Sequence, residues 1–206
     1  MIVTTDALVT AFLSIFLFLA LLGVLVLIIV SMRKPTTVPL IIATGLLVLM
    51  LTVVIVSPVN VPTIMGLIVA LLGIAVGVLG GNPVTRRVLE IATHGRVRET
   101  LDGGIVIRDP EPATATATAD GTDAPTAASH TVMRGGTTIG YLERLAAVVA
   151  IVAGFPEALA VVVAVKGIGR FSELDSAEAR ERFIIGTLAS LLWACAVAAL
   201  VRLAIW

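Results

Sequence analysis

Residues 7–32 run for about 25 positions without a charged side chain. At roughly 1.5 Å per residue a helix of that length exceeds the roughly 30 Å hydrocarbon core of a bilayer. Residues 40–56 and 63–79 are runs of the same kind, 183–205 is another with Arg202 as its one charge, and residues 142–165 make a fifth apolar segment with one interruption. Composition agrees: with 58% hydrophobic and 14% charged residues, a soluble globule of 206 residues would have to expose most of its apolar side chains. The expected fold is therefore an all-α integral membrane protein. It has four transmembrane helices plus a re-entrant or Pro-kinked fifth apolar segment, and a small cytoplasmic β-hairpin insert.

The same composition excludes several functions. Fourteen basic and fourteen acidic residues leave no field to attract nucleic acid. Cys195 is the only cysteine, so neither an intrachain disulfide nor a cysteine metal cluster can form. There is no H-E-x-x-H, no G-x-S-x-G and no G-x-x-x-x-G-K-S/T, and His94 and His130 fall outside the apolar runs. No catalytic residue, metal site or cofactor is assigned, and the chain reads as a non-enzyme. Twelve of the fourteen basic residues are arginine, a bias that suggests a GC-rich bacterial genome and hence a bacterial plasma membrane.

Asp6 is the only charge before the first run, and Arg33 and Lys34 follow it, the reverse of a secretory signal peptide. Arg33, Lys34, Arg86 and Arg87 place the first and third loops in the cytoplasm and the amino terminus outside. Residues 1–81 thus form a three-helix transmembrane region. Residues 82–139 form a cytoplasmic segment: an interfacial amphipathic helix from Asn82-Pro83 to Gly95, then strands at 96–101 and 105–108 around Asp102-Gly103-Gly104. An Ala/Thr/Pro loop at 110–129 is too poor in large apolar groups to order, and Val132-Met133 could add a third strand. Residues 140–206 form the carboxy-terminal membrane region.

Small residues recur on two spans. Gly66, Ala70, Gly73 and Gly77 make a stripe on the third, and Gly186, Ser190, Ala194 and Ala198 a longer one on the last. In lipid, where apolar burial drives association weakly, such seams let helix backbones approach closely. The last seam is expected to support a homo-oligomer.

The fifth segment is broken by Gly154-Phe155-Pro156-Glu157. It is either one span kinked at Pro156 or a re-entrant hairpin with Pro156 opening its second half. A full crossing puts Lys166, Arg170, Arg180 and Arg182 outside, whereas a hairpin returns them to the cytoplasm, which the positive-inside bias favours. Arg202 counts against the hairpin, which leaves it at the outer end of the last span. Glu157 is either an ion or proton site at the break or a first-turn glutamate completing a helix start. Glu143, Arg144, Lys166, Arg170, Glu173 and Glu181 are either an ion-paired cytoplasmic cluster or solvated flanks.

The run Gly135-Gly136-x-x-Ile139-Gly140-x-Leu142-Glu143-Arg144 is followed by Ala153-Gly154-x-Pro156-Glu157-Ala158 and Lys166-Gly-x-Gly-Arg170-Phe171-x-Glu173-Leu174. With Glu181-Arg182-Phe183-Ile184-Ile185-Gly186-Thr187-Leu188-Ala189-Ser190, it resembles the carboxy-terminal signature of a group of uncharacterised bacterial, largely actinobacterial, integral membrane proteins. The resemblance implies a membrane protein and no particular activity. The expected function is a non-catalytic, self-associating subunit or scaffold in the lipid bilayer, offering residues 82–139 to a protein partner. The alternative is a small oligomeric channel or transporter with its ion site at the broken helix.

Overall fold

The computed structural model describes residues 5–33, 37–92, 97–99, 105–107, 136–170 and 177–206. Its packed part is helical: α1 (Thr5–Arg33), α2 (Thr37–Val56), α3 (Thr63–Ala92), α4 (Gly136–Val152), α5 (Ala158–Arg170) and α6 (Ala177–Ile205). α1, α2, α3 and α6 are each long and apolar enough to cross a membrane, which marks the chain as a membrane protein. Phe12, Ile41, Ile64, Leu71 and Leu192 all stand exposed around the bundle, the surface that a bilayer covers.

The core explains the small residues. Leu17, Leu21, Val24 and Ile28 of α1 meet Met50 of α2, Val69 and Val76 of α3, and Val197, Leu200 and Val201 of α6. α3 packs most extensively against α6, running antiparallel to it, and its glycines are the positions of closest approach. Side chains of α6 lie over them in reverse order: Ile205 over Gly66, Val201 over Gly73, Val197 beside Gly77 and Trp193 over Gly80. The N–H of Val61 donates to the carbonyl of Ala204 at 2.9 Å, tying the α2–α3 turn to the end of α6. One end of the bundle thus holds the α2–α3 turn and the end of α6. The other holds the end of α1, the start of α2 and the end of α3.

The expected boundary after Gly81 does not exist as a break, because α3 continues through Asn82 and Pro83 to Ala92. Gly80 and Gly81 are buried helical contacts, and there is no separate interfacial helix. An interior proline removes one backbone donor, a defect that helices in membranes tolerate when neighbours satisfy the nearby backbone. The acceptor one turn before Pro83 is the carbonyl of Leu79; close by, Arg144 Nε donates to the carbonyl of Val78 at 2.7 Å and Trp193 Nε1 to that of Val76 at 3.0 Å.

Beyond α3, a three-residue antiparallel ladder joins β1 (Val97–Glu99) to β2 (Ile105–Ile107), with Val97 opposite Ile107. The turn at 102–104, the loop at 110–129 and the strand expected at Val132-Met133 lie outside the described residues, so a complete hairpin is not described.

Candidate functional site

α4 ends by a mechanism its sequence dictates. Gly154 adopts φ +86°, the left-handed conformation glycine enters without penalty. The N–H of Phe155 then donates to the carbonyl of Ala150 at 2.8 Å and that of Gly154 to Ile151 at 3.1 Å, the paired bonds of a Schellman cap. Pro156 follows where a helix start needs no N–H, and Phe155 accepts from Ala158 at 3.1 Å as α5 begins. The chain therefore turns back on itself instead of bending at a kink.

Three charged groups hold this turned segment. At its tip, Arg202 Nη1 donates to the carbonyls of Val152 at 3.2 Å and Ile151 at 3.4 Å. It sets a positive charge at the negative end of the α4 dipole. Toward the other end of the bundle, Lys166 Nζ of α5 pairs with Glu143 Oε2 of α4 while lying 5.5 Å from the centroid of the Phe183 ring. That pair fixes α4 and α5 as antiparallel neighbours. Glu143 is 8% exposed, and its Oε1 has no hydrogen-bond partner among the described residues.

Arg144, at 2% exposure, is the deepest charge. Beyond the Val78 bond, Nη1 donates to Ser190 Oγ at 2.8 Å and Nη2 to Asn82 Oδ1 at 2.7 Å, while Tyr141 stacks 5.1 Å from the guanidinium. The guanidinium fits because Gly81 and Gly140 leave room; a Cβ on Gly81 would lie 2.3 Å from Arg144 Cδ. A charge taken out of water must be hydrogen-bonded, and each bond to a charged group contributes about 1.5–3 kcal/mol. Arg144 thereby joins α4 to α3 and α6 at one point.

The expected charge cluster thus divides. Glu143, Arg144 and Lys166 come together inside the bundle, where the first two are buried, so they are not solvated flanks. Glu181 is exposed. Glu173 and the side chain of Arg170 lie outside the described residues. Glu157 is exposed at the tip; its carbonyl accepts from the N–H of Ala160 at 3.0 Å, and among the described residues its carboxylate has no hydrogen bond or ion pair.

The last-helix seam packs against helices of its own chain. Ala194 and Ala198 are fully buried against Ala147 and Val148 of α4, Ser190 serves Arg144, and Gly186 meets Thr85 and Leu89 of α3. Gly73 and Gly77 face Val201, Val197 and Val148. In this chain both seams are filled by its own helices.

Arg202, Asn82, Tyr141 and Trp193 were not singled out from sequence as parts of the site. Arg202 carried a signal, a lone cation in an apolar run four residues before Trp206, matched to a helix end elsewhere. No family model, curated protein or solved structure matches this chain.

Proposed function

We propose that this chain is a non-catalytic, self-associating subunit of a bacterial plasma membrane, and that α5 is the surface on which copies meet. In this reading α4 and α5 form a re-entrant hairpin. Every described lysine and arginine side chain except Arg202 then lies toward the end of the bundle that carries Arg33, which the positive-inside bias makes cytoplasmic. The amino terminus is outside, and residues 93–135 face the cytoplasm, where a protein partner would meet them. The signature stretch shared with the actinobacterial group would be the unit that builds and clamps the hairpin.

The observation that carries the proposal is the exposure of α5. Only Leu159, Val162 and Lys166 are partly buried, and α5 packs against α4 alone among the helices with extensive contacts. On its outward side stand Ala160 and Ala164 with Gly167, where an added Cβ would meet nothing within 4 Å. A small-residue face held rigidly at both ends suits close helix contact in lipid. A channel reading gains no such support, because Glu157 lies exposed instead of enclosed.

The test is the mass of the intact protein in mild detergent. Ala164→Leu should shift it toward monomer, while Leu192→Ala on lipid-facing α6 should leave it unchanged. A wild-type monomer, or an oligomer indifferent to Ala164→Leu, would remove α5 as the interface.

A further inference from the structure

At the end of the bundle that carries Arg33, four helices surround a cavity of about 310 Å³. α1 contributes Arg33 from its last turn, α2 its first residue Thr37, α3 Arg86 and Arg87, and α4 Thr137 and Tyr141 from its opening turns. Three guanidinium groups therefore line a space with, among the described residues, a single carboxylate, Glu90, and that carboxylate is bound by Arg87 Nη1 at 2.5 Å. The excess is positive. The starts of α2 and α4 and the end of α1 all lie at this space, so helix-end charges of both signs meet there and the positive excess comes from the arginines.

Charge alone would suit any small anion, but the rest of the wall narrows the choice. Ser31, Asn82 and Pro83 also line it, Met32 and Leu40 add apolar wall, and beside them Val30, Val38 and Ile41 stand exposed on the lipid-facing sides of α1 and α2. A ligand with an anionic head and an apolar remainder matches both parts. Helix-end donors and arginines are the groups that bind phosphate oxygens, bidentately in the case of arginine. We infer that this cavity binds the phosphodiester headgroup of an anionic phospholipid, with the acyl chains descending along α1 and α2. The bound lipid bridges the ends of α1, α2, α3 and α4.

Native mass spectrometry of the purified full chain tests this, with phosphatidylglycerol or phosphatidylcholine added in equal amount. Phosphatidylglycerol should be retained preferentially, and the preference should fall about fivefold for each arginine neutralised. Arg86→Gln/Arg87→Gln should abolish it. Arg33→Gln, an exposed change at a helix end, should weaken it without touching the core, so its result stands even where the double variant fails to fold. Equal retention of the two lipids, or an unchanged preference in Arg33→Gln, would overturn the inference. Displacement of the lipid by millimolar inorganic phosphate would instead assign the cavity to a soluble phosphate and overturn the lipid assignment.

Discussion

Gly73→Ala and Gly45→Ala make the same chemical change in two transmembrane helices and should have opposite signs. In a helix interior, alanine is favoured over glycine by about 1 kcal/mol through backbone entropy. At Gly45 the added methyl meets nothing within 4 Å, so that gain stands alone. At Gly73 the methyl would lie 2.3 Å from Val201 Cγ2, and Val201 is itself fully buried, so α3 and α6 must separate. Overpacking of this kind costs about 1–3 kcal/mol, which exceeds or cancels the entropic gain. The lipid reference does not soften the penalty, since association in a bilayer depends on packing more than on transfer from water. Reversible unfolding in mixed micelles should therefore show Gly45→Ala equal to or more stable than the parent. Gly73→Ala should be less stable by up to about 2 kcal/mol, or roughly thirtyfold in the folding equilibrium. Adding Val201→Ala to Gly73→Ala should recover part of the loss by removing the opposing methyls. Stabilisation by Gly73→Ala matching that by Gly45→Ala would refute close α3–α6 contact.

Two further outcomes follow from the hairpin. A cysteine pair at Leu142 and Gly167, beside the Glu143–Lys166 contact, should join with a short cross-linker in membranes; failure to join, with Gly167→Cys labelled only from outside, would establish a continuous crossing. Arg202→Met should leave the α4 carbonyls without their cation and speed hydrogen exchange at Gly154 and Phe155, consistent with a helix-end charge contributing about 0.3–2 kcal/mol; unchanged exchange there would show that the Schellman cap suffices.

Length and apolarity made the four long helices legible, because a bilayer enforces both. The end of α3 was not legible, since Asn82-Pro83 carries the local chemistry of a helix start. The groups that pack on this part of α3, Arg144 and Trp193, come from distant parts of the chain. The seams were legible as packing surfaces but not as to partner: spacing along Gly186, Ser190, Ala194 and Ala198 is the same whether the facing helix belongs to this chain or another. The break at Gly154-Phe155-Pro156-Glu157 was legible as two alternatives, and the contact that sets α4 beside α5 pairs Glu143 with Lys166, residues 23 apart. Arg202 counted against a hairpin because loop-charge rules ask only which side a cation is on. Its bonds to Ile151 and Val152 answer a different need, that of a helix end whose carbonyls lack donors.

The distribution of those clamps has a bearing on biogenesis. Ser190, which accepts from Arg144, and Arg202, which holds the tip, are synthesised 46 and about 50 residues after the groups they secure. The hairpin is therefore synthesised before either clamp, at a stage when Arg144 already has Val78 and Asn82 of α3 as acceptors. Insertion of α6 is then the step that locks the nascent segment, so surveillance proteases should meet a loose hairpin whenever α6 is delayed or fails to dock.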